Sequence, residues 1–360
     1  MKKNSQTISH SIDKSHLNSQ LSPYPIYFIC RNKKKWHFLF EYPEELPDLN
    51  QIFKNIVTNE DCWIILTYFH LKQQGLDVRL SENFVPGEIC VVSSLDHAIQ
   101  NFSYSSFVVG CRSDGPKSNL SDISIVQNIQ NVESKKDIFI PHWPQPGLIS
   151  RAESRGRQIK NLVFKGSIIN LHESFRSSEF LQDLENLGVK LVISSESTNG
   201  SADWHDYSAA DLVIAVRNLT EEDARVKPAS KLVNAWMAGS PALLGPEPAF
   251  QHLRRSELDY IEVRTPKQAV EAIHYLQNSP DVYQKMVING YERAKDFTPT
   301  CIAQKWRNAL SDVIVDEYIK WSTENMLQRK VRFPARAFQQ KISNIKSLYH
   351  RENGRRLITG

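Results

Sequence analysis

The stretch VKPASKLVNAWMAGSPALLGPEPAF, residues 226–250, predicts a helix that leads through a short loop into a buried strand. Pro228 suits the first turn of a helix, where a missing backbone N–H leaves no bond unmade. Leu232, Ala235 and Trp236 recur at helical spacing and predict the side that packs on a sheet. Gly239 ends the pattern, and the apolar run ALLG (242–245) is typical of a strand. This order of elements indicates an α/β fold.

Two lysines stand at the start of this helix, although cations are disfavoured at the positive end of a helix dipole. Lys227, Lys231 and Asn234 share the side opposite the apolar one. Either an anion binds in front of the lysines, or the acids at 221–223 neutralise them locally. Phosphate fits the first explanation, because helix N-terminal amides and a lysine together bind it well. Arg217, directly after the predicted strand DLVIAV (211–216), would add a planar guanidinium.

Apolar runs alternate with helical patterns on both sides of this stretch, which predicts parallel sheets. The predicted strands of a first unit are PIYFIC (25–30), DVRL (77–80), GEICVVSS (87–94) and SFVVGC (106–111). Those of a second unit are NLVFKG (161–166), VKLVIS (189–194), DLVIAV, ALLG and IEVR (261–264). The predicted helices cover 59–75, 177–187, 266–277, 280–297 and 300–328.

Prolines in PHWPQPG (141–147) predict the break between the two units. The expected organisation is a flexible leader at 1–22, a first Rossmann-like domain at 23–150, a second at 151–310, and a helix with a basic tail at 311–360. Two doubly wound units joined in this way bind a ligand in the cleft between them.

The basic character of the chain is concentrated in its tail. Residues 329–356 contain nine Lys and Arg against one acid, whereas the whole chain has a net charge of +4. Spacing of apolar residues predicts an amphipathic helix at 334–349, which either rests on an anionic membrane or is simply solvated. Nucleic-acid binding is not expected, because the body is acidic and carries no recognised binding motif.

Several classes of function are disfavoured by what the sequence lacks. It contains no G-x-S-x-G, P-loop, H-E-x-x-H or G-x-G-x-x-G motif. It has no D-x-D pair to clamp a metal-bound sugar diphosphate, so no metal or other cofactor is expected. The longest apolar run, WIILTYFHL (63–71), is too short for a membrane span. The N-terminus lacks the apolar core of a signal peptide, and a cytoplasmic location is expected.

The segment KLVNAWMAGSPALLGPEPAF (231–250) resembles the donor-side signature of GT-B glycosyltransferases, and the resemblance extends over 138–310. It implies two Rossmann-like domains, a nucleotide-sugar donor and a saccharide or lipid-linked acceptor. Part of it is also similar to α-1,3-fucosyltransferases, which implies that Lys231 binds the donor phosphate and that Ser230 replaces a glutamate. The predicted donor-binding residues, from the strand-end and helix argument together with the resemblance, are Arg217, Lys227, Ser230, Lys231, Asn234, Gly245 and Glu247.

One departure from the family pattern lies at the sugar. Many such enzymes carry two glutamates eight positions apart, and here Val226 and Asn234 occupy those positions. The missing pair leaves open a second hypothesis, in which the protein is a non-catalytic GT-B-like binding or scaffold protein.

An inverting transferase also needs a general base on the acceptor side, whereas a retaining one needs none. Asp114, after SFVVGC, and His142, in the predicted hinge, are the favoured candidates, and Asp96 with His97 are the third possibility. Each also has a structural explanation, as a turn residue, a packed ring or a helix cap. The sequence thus predicts a metal-independent glycosyltransferase.

Overall fold

The computed structural model describes residues 22–194 and 203–358, so the predicted leader lies almost entirely outside the described residues. Two sheets, both made of parallel strands only, form the framework. The first has the order β2-β1-β3-β4-β5-β6, with β1 Ile26–Ile29, β2 Val78–Ser81, β3 Ile89–Ser93, β4 Phe107–Arg112, β5 Ile123–Val126 and β6 Asp137–Phe139. The second has the order β11-β10-β9-β7-β8, with β7 Asn161–Phe164, β8 Lys190–Ile193, β9 Leu212–Ala215, β10 Ala242–Leu244 and β11 Ile261–Glu262.

Twelve α-helices accompany these strands in the described part of the chain. They are α1 His37–Glu41, α2 Leu49–Ile52, α3 Leu66–Gln73, α4 Ser178–Asn186, α5 Glu221–Val226, α6 Ser230–Ala238, α7 Pro248–Leu253, α8 Pro266–Asn278, α9 Pro280–Ala294, α10 Pro299–Ser311, α11 Val313–Ser322 and α12 Met326–Asn353. A π-helical turn, Asp61–Ile65, runs directly into α3. Proline occupies the first turn of four of them, α7 to α10, as expected where its missing donor has no intrahelical partner.

The second sheet, read from its other edge, has the order β8-β7-β9-β10-β11. This is the same arrangement as the first five strands of the first sheet, β2-β1-β3-β4-β5. In such doubly wound sheets the direction of winding reverses between the first and third strands, and ligands bind in the crevice there. That reversal lies between β7 and β9 in the second unit. The predicted GT-B architecture, two Rossmann-like units facing across a cleft, is confirmed.

The end of the chain crosses back to the first unit. Trp306 of α10 is buried and lies 6.3 Å from Phe28 of β1 between ring centroids, and Tyr318 and Trp321 of α11 pack against Phe107 of β4. Helix α10 therefore belongs to the first core, although the sequence analysis assigned residues up to 310 to the second unit. Periodicity shows that a helix has an apolar side, but it does not show which sheet that side covers.

Other differences concern element boundaries. The helix expected over 300–328 is divided into α10, α11 and the start of α12, and Asp312 separates the first two with a non-helical backbone (φ −108°, ψ −96°). Helix α12 is also longer than the predicted 334–349. Strands β5 and β6 were not predicted.

Three amide side chains of the first unit hold the second unit through the end of α5. Gln127 donates to the carbonyl of Val226 at 2.8 Å, Asn128 to that of Lys227 at 3.0 Å, and Asn131 to that of Arg225 at 2.8 Å. Carbonyls at a helix C-terminus have no intrahelical partner, so these bonds satisfy groups that would otherwise need water.

The segment after the hinge is anchored rather than free. Arg151 and Arg155 both bind the carboxylate of Asp211, which is fully buried at the start of β9 and also accepts from the amides of Lys160 and Asn161. Burial by itself would raise the pKa of Asp211, but the hydrogen bonds from Arg155 and the Lys160 amide lower it on balance.

We expect Asp211→Ala to lower the free energy of unfolding by about 3–5 kcal/mol, because it leaves two guanidinium groups and two amides without their buried partner. Urea unfolding followed by circular dichroism measures the change. Asp281→Ala, which removes an exposed ion pair with Arg157, is the matched control and should cost less than about 1 kcal/mol. Equal losses for the two variants would contradict the role assigned to Asp211.

Candidate functional site

The cleft between the two units has a volume of about 300 Å³, the lower end of the range for small-molecule sites. The loops that follow β7 and β9 form its wall on the second unit, at the reversal of the strand order. Seven of the nine predicted site residues line it: Asp114, His142, Arg217, Lys227, Ser230, Lys231 and Asn234. The structure therefore brings together residues that lie up to 120 positions apart in the sequence.

Lys231 is the most strongly perturbed cation of this cleft. Its ammonium group donates to the carbonyl of Lys165 and lies 5.1 Å from the centre of the Phe164 ring. Gly166 leaves it room, since a Cβ at that position would lie 3.1 Å from Nζ. Burial, together with the positive charge of Arg217, lowers the pKa of Lys231 to about 7. This amine consequently changes its charge near neutral pH, where an ordinary lysine is fully protonated.

Arg217 is fixed by a buried carboxylate. Its guanidinium forms a two-pronged bond with Glu247, in which Nε donates to Oε1 at 2.8 Å and Nη2 donates to Oε2. Glu247 is fully buried and does not line the cleft, although it was predicted to bind the donor. Burial lowers the pKa of Arg217, but Glu247 outweighs that effect and raises it. Glu247 therefore orients the arginine from behind.

Gly245 also lies behind the cleft wall. Its amide donates to the carbonyl of Ala215 at 2.9 Å, and a Cβ at this position would lie 3.5 Å from the Cα of Val216. Gly245 does not line the cleft, and its contacts extend the pairing of β10 with β9 beyond Leu244.

Lys227 pairs across the cleft, with the first unit. Its Nζ lies 2.7 Å from Oδ2 of Asp114, whose Oδ1 accepts from Gln127 at 2.9 Å. The acids at 221–223 are used elsewhere: they occupy the first turn of α5, and Asp223 also contacts Thr220 and Arg351. The suggestion that those acids neutralise the lysines was therefore wrong for Lys227.

The start of α6 faces the cleft through Pro228 and Ser230. Ala229 occupies the N-cap position, and within the described structure no side chain caps it. Because the first amides of a helix have no intrahelical acceptor, this end of α6 presents donors of the kind that bind an anion.

Asn234 holds the hinge. Its Oδ1 accepts the backbone amide of Gln145 at 3.0 Å, and its side chain partly offsets the rise that burial causes in the pKa of Tyr207. It lines the cleft as predicted, yet it is largely buried and its oxygen is occupied by the first unit's connection to the second. Asn234 thus connects α6 to the hinge through its side-chain oxygen.

His142 is the second candidate base in the cleft. Its Nδ1 lies 2.7 Å from the carbonyl oxygen of Trp143, and because a carbonyl only accepts, Nδ1 carries the proton. Burial lowers the pKa of His142, so the ring is neutral at pH 7 and its Nε2 is an acceptor. Trp63 packs edge-on against it with 5.5 Å between ring centroids, which restrains the ring.

The alternative pair, Asp96 and His97, does not line the cleft. His97 stacks on Phe102 and contacts Ser121, and burial lowers its pKa to about 3. A histidine that stays neutral inside a packed aromatic cluster fits a structural role.

Sequence reasoning missed two residues on the donor side. Lys165, buried at the end of β7, donates to the carbonyl of Asp203 at 2.9 Å, and burial lowers its pKa. Trp204 lines the cleft nearby. The lysine at the end of NLVFKG was a usable signal, because working residues lie beyond the carboxyl ends of parallel strands.

Within 22–194 and 203–358, no group of three or more His, Cys, Asp or Glu side chains is placed to hold a metal ion. No helix in these ranges is long and apolar enough to cross a membrane.

Comparisons with known proteins add a likeness of shape. No family model matches the chain, and no curated protein matches it. The solved structures it resembles include Anabaena Alr3699/HepE in complex with UDP-glucose, with a TM-score of 0.49, 11% identity, and coverage of 81% of this chain and 100% of that one. TarM gives a TM-score of 0.47 at 8% identity, and the pneumococcal O-GlcNAc transferase GtfA gives 0.43 at 12%.

The matches to TarM and GtfA each cover 71% of this chain but only 59% and 60% of the other chain. At such identities and TM-scores the likeness says nothing about activity or substrates, and a functional proposal must come from the cleft itself.

Proposed function

We propose that the protein is a glycosyltransferase that moves a sugar from a nucleotide-sugar donor to a saccharide or lipid-linked acceptor, without a metal ion. One observation carries the proposal: Lys231, Lys227, Arg217 and the uncapped start of α6 converge on one wall of the cleft between two Rossmann-like units. Cations and helix amides converging in this way match the charge of a leaving diphosphate.

Sugar transfer requires that the negative charge developing on the leaving diphosphate be stabilised. The acceptor hydroxyl oxygen forms a bond to the anomeric carbon, the bond from that carbon to the diphosphate oxygen breaks, and the electron pair stays on the diphosphate. Arg217, oriented by Glu247, and the ammonium of Lys231 take the place that a metal ion has in enzymes with a carboxylate clamp. The absence of D-x-D from the sequence supports this assignment.

In an inverting course, the hydroxyl proton goes to Asp114 or to Nε2 of His142. Asp114 is paired with Lys227 in this structure. If Lys227 turns to the diphosphate, Oδ2 of Asp114 is released to accept a proton, so donor binding prepares the base. Nε2 of His142 needs no such release, because Nδ1 already holds the ring's proton.

The second candidate function is a GT-B-like protein that binds without catalysis. It is favoured by one observation, that Asn234 stands where many relatives have a glutamate and gives its oxygen to Gln145.

A panel of UDP-, GDP- and ADP-sugars tests donor binding by thermal shift. We expect at least one of them to stabilise the protein, by about 2.7 kcal/mol when the ligand stands at a hundred times its Kd. Lys231→Met should abolish that shift while keeping the fold, because it removes a charge whose burial is unfavourable. The exposed Lys190→Met is the control. No shift with any donor would contradict the proposed site.

Donor affinity should also depend on pH through Lys231. Its pKa of about 7 means that the ammonium is present below pH 7 and is lost above it. A diphosphate favours the ammonium, so binding takes up a proton above pH 7 and affinity should fall by up to about tenfold per unit between pH 7 and 9. Titration calorimetry with the nucleoside diphosphate measures this.

Lys231→Arg keeps its charge throughout this range and should flatten the profile, whereas the exposed Lys190→Arg should leave it unchanged. A slope that persists in Lys231→Arg would assign the titration to another group.

Transfer itself can be measured in excess chelator. We expect turnover to persist there. Of the two variants His142→Gln and Asp114→Asn, the one that lacks the general base should lose about 10²- to 10⁴-fold in kcat, while its donor-induced thermal shift remains. Complete loss of activity in chelator would contradict the metal-independent mechanism. Donor binding without transfer to any acceptor would favour the non-catalytic alternative.

A further inference from the structure

Helix α12 faces the first unit with a side that is mostly polar. Arg336 bonds Asp122 at 2.8 Å, and Gln340 and Ser343 both bond Asn119, at 2.7 and 2.8 Å. Phe333 also packs on Phe102 and Tyr104, with ring centroids 4.7 and 5.2 Å apart, and Ala337 is buried. The helix is thus held on the first unit by polar bonds together with a few apolar contacts. A helix that covers a core normally turns its apolar side inward.

The opposite side of α12 is apolar and exposed. Five large apolar side chains on it have exposed fractions between 61% and 70%: Leu327, Val331, Phe338, Ile345 and Tyr349. At 3.6 residues per turn these positions fall within about 20° of one line along the helix, over roughly 35 Å. We call them the outer stripe. A contiguous exposed apolar surface of this length is rare on a monomer and indicates an interaction surface.

Basic residues flank the outer stripe on both sides. Helical geometry places Lys330 and Lys341 along one border and Lys346 along the other, and all three are exposed. The sequence contains no Asp or Glu between Asn325 and Arg351. Lysines so placed can keep their ammonium groups in water while their alkyl chains and the stripe are covered.

We propose that the outer stripe of α12 docks on an anionic lipid surface, with the helix lying in the plane of the membrane. Charge decides between the occupants, because a second copy of α12 would bring the lysines that border the outer stripe close to one another, whereas anionic headgroups neutralise them. The apolar stripe enters the boundary between headgroups and acyl chains, as in interfacial amphipathic helices. The proposal does not rest on the catalytic assignment.

Docking through α12 also involves the second unit. The residues after the helix pair with the loop beyond β9, since Leu357 donates to the carbonyl of Leu219 at 2.9 Å and Glu221 donates to that of Arg355 at 2.9 Å. Ile358 is buried in the second core, and Leu219 lines the cleft. A membrane-bound α12 is consequently connected to one wall of the cleft, which would favour access to an acceptor carried by the lipid surface.

Co-sedimentation of the full chain with vesicles tests the proposal. We expect binding to vesicles of phosphatidylcholine with 30% phosphatidylglycerol, and at least about tenfold weaker binding to pure phosphatidylcholine or in 0.5 M salt. Phe338→Ser with Ile345→Ser should remove the binding, as should Lys341→Glu with Lys346→Glu. All four positions are exposed, so the thermal midpoint should not change.

Tyr275→Ser with Ile288→Ser is the matched control, because it removes two exposed apolar side chains from α8 and α9 and should leave vesicle binding intact. The proposal is overturned if the unmodified chain binds neither vesicle type, or if the control variant loses binding as well. It is also overturned if sedimentation shows a dimer that Phe338→Ser with Ile345→Ser dissociates, since the stripe would then join two copies of the chain.

Discussion

The three amide bonds from Gln127, Asn128 and Asn131 to the last carbonyls of α5 are the constraint on which the cleft depends. Helix α6 begins only four residues beyond the end of α5, so its position is set by the first unit as well as by the second sheet. The same short connection carries Lys227, whose bond to Asp114 is the only ion pair between the two units that faces the cleft among the described residues. Both the wall proposed to bind an anion and the candidate base Asp114 are thereby positioned by one contact region.

Electrostatics in the cleft follow from burial. Each cation is either matched by a carboxylate, as Arg217 by Glu247, or driven toward its neutral form, as Lys231. Charges left unpaired in a poorly solvated site would be costly, and pairing and neutralisation avoid that cost. A diphosphate reverses the balance, because it supplies negative charge to several cations at once. A cleft whose cations are paired or neutral can therefore still bind an anion well.

The C-terminal segment has two physical roles that its composition alone does not separate. Trp306, Tyr318 and Trp321 on α10 and α11 complete the core of the first unit, whereas α12 turns the outer stripe away from the protein. The residues beyond α12 then join the second unit at Leu219 and Glu221. Residues 306–358 therefore contact both units, and two backbone hydrogen bonds join the residues after α12 to the loop that carries Leu219.

Local pattern was enough to predict most strands, the helix that leads into the strand at 242–245, Arg217 beyond a strand end, and the two-unit α/β architecture, because periodicity and turn residues act over a few positions. It failed for β5 and β6, and it could not show that α10 covers the first sheet. Glu247 was predicted to lie in the site rather than behind it, because local pattern does not show which side chains face the cleft. Only the tertiary structure decided which carboxylate pairs with Lys227, how far the pKa of Lys231 falls, and which side of α12 faces solvent. The physical reason is that burial and charge pairing depend on neighbours far apart in the chain.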